Sequence, residues 1–536
     1  MRSRAAVCAS LLCGTISLVV SCVGSDRASP IDTDTGVEAG GPADAGVQPD
    51  TSTEDAGPGS LSIEPELPRV ERGKTAEVKI KLGRTATLRG DVAVDLAGLP
   101  AGVTVSPIVI GAASSEATAT LSAAPAAAMG IKPITLKAQG ASDRSVRLAV
   151  AGPSGDLDTS FDNDGLILDS TNPGASVRAM TEIGEGGLLV AGTNGTGWLV
   201  RRYDEAGVPE ATFNTNAAAV VPTTGMARAI ALDPATGRIV VGGGSGASEA
   251  ATIVRLNADG TADQTFGNAG TMRATIADHP TGSRVNAMVV TTGSTIVIAG
   301  SFFGPTRGIV ERYTATGQRD AVGFAFYQDQ APSELTALLV LPSGALLATG
   351  TNDAVAPPEH LALRFLATGA PDTAFNLTGR ASYPEESCRG ASAALAANGD
   401  AVIVGQSVFG PNYCETRIAA SAAGARIYTR VHPAGASDQF HAAAPGPGNT
   451  VYAAGQGGGS QDRVGVVLRR KADGDLDPTF APGSDTPGVL GLQDPSVPDV
   501  YAYDLFALAP SRDGRLFIGG ARTKSMTGFV VFRVWQ

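Results

Sequence analysis

One phrase recurs seven times in the C-terminal part of this chain and constrains what that part can fold into. It reads Leu189-Val190-Ala191-Gly192, Val240-Val241-Gly242-Gly243, Val297-Ile298-Ala299-Gly300 and Leu347-Ala348-Thr349-Gly350. It continues with Ile403-Val404-Gly405, Tyr452-Ala453-Ala454-Gly455 and Phe517-Ile518-Gly519-Gly520. The closing glycines lie 51, 57, 50, 55, 50 and 65 residues apart. A little beyond each comes a strand ending in a turn, as in Leu199-Val200-Arg201-Arg202-Tyr203 before Gly207, or Ile253-Val254-Arg255-Leu256 before Asp259-Gly260. An Asp-x-Thr-Phe phrase follows, from Asp158 to Phe161, Asp263 to Phe266, Asp372 to Phe375 and Asp477 to Phe480. Phe213 keeps only the aromatic, and the copies near Phe324 and Tyr428 have decayed. A period near 55 with about four short strands per unit suits propeller blades, and solenoid rungs are shorter.

The combined pattern resembles the delta-60 repeat of bacterial surface and secreted proteins over residues 153–536. The resemblance implies a β-propeller, here with seven blades in residues 152–536. The repeat region opens with the last part of a unit, Gly155 to Phe161 and then Gly165-Leu166-Ile167-Leu168. It closes at Val530-Val531-Phe532-Arg533-Val534 with no Asp-x-Thr-Phe phrase after it. Residues 163–169 are therefore expected to supply the missing outer strand of the last blade and close the ring, which removes two open sheet edges.

Within the repeat, the Asp and Phe read as structural, Asp capping a turn and Phe wedged between blades. Asp156, Asp158, Asp162 and Asp164 lack the spacing of a calcium loop. His279, His360, His432 and His441 form no zinc motif, and no nucleophile elbow or phosphate loop occurs. No catalytic residue, metal or cofactor is assigned. One repeat position holds polar residues in most units. Counted back about 14 residues from the closing glycine, it is occupied by Arg178, Arg228, Asn286, Thr336, Ala391, His441 and Phe506. These are expected near the start of each innermost strand, either ringing a central channel or satisfied by local loops.

Upstream, residues 60–151 alternate apolar and polar in short runs, including Ala76 to Leu82, Val92 to Leu96, Ala117 to Leu121, Ile134 to Ala138 and Val146 to Val150. Six or seven strands buried on one face predict a β-sandwich. The stretch Leu99-Pro100-Ala101-Gly102-Val103-Thr104-Val105-Ser106-Pro107 resembles a turn of bacterial Ig-like domains on secreted proteins. The fold expected is thus all-β, an Ig-like β-sandwich followed by a seven-bladed propeller.

The first 21 residues carry Arg2 and Arg4, then an apolar run from Ala5 to Val20, too short for an ordinary membrane span. Val19-Val20-Ser21-Cys22 resembles the lipobox of bacterial lipoproteins, which implies lipid on Cys22 and cleavage before it; a plain signal peptide is the alternative. Two or three acyl chains anchor where one does not, since each buried methylene contributes about 0.8 kcal/mol. Residues 22–59 are acidic, with Arg27 the one base, and have no hydrophobic period. They are expected to form a disordered tether. Val23, where an inner-membrane protein often has Asp, points to the outer membrane, either its periplasmic face or the cell surface.

Of the five cysteines, Cys388 and Cys414 alone follow Cys22. In an oxidising compartment they form a disulfide or, failing that, remain two buried thiols. Net charge is −12, about −14 once the signal is lost, and no Lys/Arg cluster occurs, which excludes nucleic acid as a natural partner. The function expected is binding or scaffolding of a protein or glycan by a membrane-anchored, extracytoplasmic chain. The rivals are a propeller enzyme acting on polysaccharide and a purely structural envelope component. Fold does not choose among them.

Overall fold

The computed structural model describes residues 58–536, apart from residue 185 and the segments 216–217, 247–248, 275–281, 304–305, 321–326, 329–330, 385–386, 411, 421–422, 433–437, 458–463, 493–502 and 524–526. The signal, Cys22, nearly all of the tether and His279 lie outside the described residues. Those described are all-β, the sole helical element being the 3-10 turn Phe213–Thr215. None of their helices is long and apolar enough to cross a membrane.

Two sheets come first. Ser60–Glu64, Thr75–Gly83, Glu116–Ala123 and Val103–Val105 form one, in that order. Arg69–Glu71, Arg144–Ala151, Gly130–Ala138, Val92–Ala97 and Ile108–Ile110 form the other. Period-two alternation decides which side chains point inward: Val78, Ile80 and Leu82 are buried while Glu77, Lys79 and Lys81 are exposed. Ile80 and Leu121 of one sheet share a core with Val94, Leu136 and Leu148 of the other. Nine strands appear where the alternation marks six or seven. The extra ones, Arg69–Glu71, Val103–Val105 and Ile108–Ile110, have three residues each, too few to display a period.

From Ala175 onward the chain repeats one four-stranded antiparallel meander. Ser333–Val340, Leu346–Asn352, Glu359–Phe365 and Arg380–Tyr383 form a representative unit. The first two units share the long strand Ala218–Leu232 and so form a seven-stranded sheet. The last sheet consists of Tyr503–Pro510, Arg515–Arg522 and Gly528–Trp535, with a fourth strand from far upstream, Leu166–Asp169. Leu166 stands opposite Phe532 and Asp169 opposite Phe529. Second strands such as Ile239–Ser245, Ile296–Phe302 and Leu346–Asn352 are buried at every residue, which is why the repeated phrase is apolar without alternation.

The closing glycine of that phrase has a steric cause. In each unit the first strand slips register against the second by one residue, a β-bulge. The slips fall between Val177 and Ala179, Ala227 and Ala229, Val285 and Ala287, Leu335 and Ala337, Gly390 and Ser392, Phe440 and Ala442, and Leu505 and Ala507. The closing glycine faces each slip. A Cβ on Gly300 would lie 2.0 Å from the Arg284 carbonyl oxygen, and one on Gly405 would lie 1.7 Å from that of Arg389. Gly192, Gly243, Gly350, Gly455 and Gly520 meet the corresponding carbonyl at 1.8 to 2.1 Å.

The Asp and Phe of the repeat belong to a buried cluster whose third member is an arginine eight residues before the Asp. Arg255 Nε donates to Asp263 at 2.8 Å, Arg364 to Asp372 at 2.7 Å and Arg469 to Asp477 at 2.8 Å. The other carboxylate oxygen accepts the backbone N–H two residues on, from Thr265, Ala374 and Thr479. Each guanidinium stands over the Phe of the phrase, at 4.7 Å from Phe266, 5.4 Å from Phe375 and 5.3 Å from Phe480. Phe161, Phe213, Phe266 and Phe375 in turn press on the turn glycines of the following units, Gly207, Gly260, Gly317 and Gly424. The N-terminal segment supplies the same cluster to the last sheet: Arg533 pairs with Asp158 at 2.8 Å and stands 4.5 Å from Phe161. The two N-terminal sheets meet the repeats through Arg69, which donates to the Gln536 carbonyl at 3.0 Å and stands over Trp535, and through Arg147, 3.8 Å from Asp513.

Two stability predictions follow from these contacts. Gly300→Ala should destabilise by about 1–3 kcal/mol or more, as forced overpacking does. Gly483→Ala, where a Cβ meets open space, should leave the thermal midpoint nearly unchanged. Burial alone would raise the Asp263 carboxyl, but the Thr265 hydroxyl and amide and the Arg255 guanidinium outweigh it and hold the group below its ordinary value. A depressed carboxyl contributes stability above its unfolded pKa of about 3.9 and loses it as pH falls through the folded value. Asp263→Asn should therefore cost about 3–5 kcal/mol at pH 7 by orphaning Arg255, and its stability should fall less steeply than the wild type's below about pH 4, read by urea unfolding across pH.

Candidate functional site

The bulge decides where the candidate residues point. Arg178, Arg228, Asn286, Thr336, Ala391, His441 and Phe506 are each the residue left between the two ladder partners at a slip. They are the third or fourth residue of their first strands, except Arg228, which stands eleventh in the long strand Ala218–Leu232. The structure brings all seven into the wall of one cavity of about 460 Å³. The first strands surround it in sequence, each contacting the next, and Tyr503–Pro510 contacts Ala175–Ile183.

Cations dominate one part of the wall. Arg228 pairs with Glu249 at 3.2 Å, and Arg284 bridges Glu249 at 3.3 Å and Glu334. The Nε atoms of Arg228 and Arg284 are buried without a hydrogen-bond partner among the described residues. Arg178 donates to Ser176 Oγ at 3.1 Å and lies 3.5 Å from the centre of the Phe506 ring. Among the described residues no carboxylate lies within ion-pair reach of it. Burial and then Arg228 lower the Arg178 guanidinium to about 10, against the pull of Asp504, so it stays charged at neutral pH. Burial and then Arg178 lower His441 to about 4, so it is a neutral imidazole there, with one donor and one acceptor nitrogen. Its ring lies 5.0 Å from that of Phe506. Ile230, Met288 and Leu338 add an apolar surface.

Asn286 and Thr336 line the cavity, but their donors serve the neighbouring strand. Asn286 Nδ2 donates to the Leu335 carbonyl at 2.8 Å and Thr336 Oγ1 to that of Gly390 at 3.1 Å. Arg284 and Glu334 escaped the repeat alignment because charge occurs at their position in only some units. Strand alternation was the available signal, since each stands two residues before a predicted member. The one carboxylate among the lining residues, Glu334, is tied to Arg284, whereas glycoside hydrolysis commonly uses two carboxylates flanking the bond.

Cys388 and Cys414 are buried with Cα atoms 6.3 Å apart and their sulfurs in contact. Sequence reasoning missed their neighbour: the fully buried His360 turns Nε2 toward Cys414 Sγ at 3.8 Å, with Nδ1 held by Thr416 Oγ1 at 2.9 Å. The three ligand atoms lie within 4.8 Å of one another. They suit a soft metal ion only with both sulfurs reduced. Asp158 is engaged by Arg533 and Arg515, and Asp164 by the Leu166 amide.

A sequence profile described as "Domain of unknown function (DUF5122) beta-propeller" matches residues 235–266, which supports a propeller-type domain. No curated protein matches the chain. Among solved structures, the chain is similar to domains 4 and 5 of the S-layer protein SbsC, at 24% identity over 17% of this chain and 50% of that one, with a TM-score of 0.14. A Salmonella alpha-2-macroglobulin mutant is similar at 11% identity over 89% of this chain and 33% of that one, with a TM-score of 0.16. The chain spans half or less of these proteins.

Proposed function

We propose that this chain is a lipid-anchored, extracytoplasmic binding protein whose ligand enters the cavity ringed by the bulged residues. The observation that carries the reading is the convergence of Arg178, Arg228, Asn286, Thr336, His441 and Phe506 on one cavity of about 460 Å³, from six separate strands. In this reading residues 60–151 form an Ig-like sandwich and residues 152–536 a seven-bladed propeller of delta-60-like repeats. The ring is closed by the strand Leu166–Asp169. Support for closure comes from its pairing with Gly528–Trp535 and from Arg533, which donates to the Glu205 carbonyl of the first unit at 2.5 Å. Cys22 carries the lipid, residues 22–59 serve as tether, and the membrane is the outer one. Cys388 and Cys414 form a disulfide. A protein or glycan supplies the ligand, and the single, ion-paired carboxylate of the wall favours binding over hydrolysis.

Mass spectrometry of the exported protein should find a lipid-modified Cys22 as the first residue and a non-reduced peptide joining Cys388 to Cys414. An unmodified N-terminus or two free thiols would remove those assignments. The cavity has its own test. Ala391→Trp places an indole on the cavity wall without replacing a charged residue. A ligand found by thermal-shift screening of small solutes and oligosaccharides should stabilise the wild type and not this variant. Equal stabilisation of both would place binding elsewhere.

A further inference from the structure

We infer that the cavity, read as the binding site above, selects a hydroxylated carboxylic acid of sugar size, the class of the uronic acids. The wall holds a guanidinium with no carboxylate in reach among the described residues, Arg178, set against the Phe506 ring. Stacking on a ring fixes the plane of a guanidinium and leaves its forked N–H edge to bind a carboxylate in two parallel bonds. Arg228 and Arg284 are already balanced by Glu249 and Glu334, so one cation is left for one anionic group. One cation without a paired carboxylate suits a singly charged carboxylate better than a phosphate dianion.

The rest of the wall suits the remainder of such a molecule. His441 offers a donor and an acceptor to hydroxyl groups, and Ile230, Met288 and Leu338 offer an apolar face to ring carbons. A space of about 460 Å³ admits a monosaccharide or a short oligosaccharide and excludes a folded partner. Affinity should then rest on a charge-assisted contact in a partly desolvated site, which weakens with salt less than a surface pair does.

The test is calorimetric titration of the full chain with galacturonate and glucuronate, set against galactose, glucose and inorganic phosphate. An acid is expected to bind saturably, with its neutral parent and phosphate at least roughly tenfold weaker, a tenfold change being about 1.4 kcal/mol. Arg178→Met should lower acid affinity by at least tenfold. Arg178→Lys, which keeps the charge and loses the fork, should lower it nearly as much, and it guards against a folding defect in the first variant. Neutral sugars or phosphate binding as tightly as the acids would overturn the inference, as would acids that bind both variants normally or bind nothing. A neutral sugar that binds the wild type but not Ala391→Trp would overturn the carboxylate while keeping the cavity as a binding site.

Discussion

A carbonyl oxygen standing where a Cβ would otherwise be is the constraint on which the repeat region depends. It recurs at Gly192, Gly243, Gly300, Gly350, Gly405, Gly455 and Gly520, each time opposite the slip in the first strand. Only glycine leaves room for that carbonyl, which belongs to the residue two before the extra one. The extra residue is the one aimed at the cavity. The glycine of the apolar phrase and the polar residue about 14 positions before it are therefore two ends of a single device.

The arginine–aspartate–phenylalanine cluster couples one unit to the next. The Asp fixes the local turn through a backbone amide and the Arg through its guanidinium, while the Phe beneath them reaches the turn glycine of the following unit. A buried ion pair by itself is weak evidence of net stabilisation, because desolvation opposes the Coulomb attraction. Its effect here is geometric: with Arg, Asp and Phe satisfied together, a unit has one register against its neighbour. The same three roles are filled by Arg533, Asp158 and Phe161, residues far apart in the chain, which ties the start of the repeat region to its end.

Much of this was legible in the sequence, and the gaps have physical causes. The period, the apolar second strands and the position of the polar residues follow from spacing alone, because every unit solves the same packing problem. The bulge itself left no mark: residues as different as Ala391, His441 and Arg178 occupy it, since the requirement falls on the glycine across the ladder. The role of Arg255 and its counterparts was hidden because an arginine before a turn reads as solvated, and only the fold shows its side chain buried beside Asp263. His360 and Cys414 lie 54 residues apart in separate units, and their contact has no local signature. Asn286 and Thr336 line the cavity, and sequence could not foresee that each would donate to a carbonyl of the neighbouring strand.

The first strands present a few unlike side chains to a common space, and among the described residues Arg178 is the arginine of that wall with no carboxylate within ion-pair reach. The most direct test of this account is an experimental electron-density map of the full chain, read at the seven closing glycines. The account predicts one bulged residue opposite each glycine, the preceding carbonyl over its Cα, and the bulged side chain on the cavity wall. A regular, unbulged ladder at those positions, with Arg178 and Arg228 turned out to solvent, would contradict it.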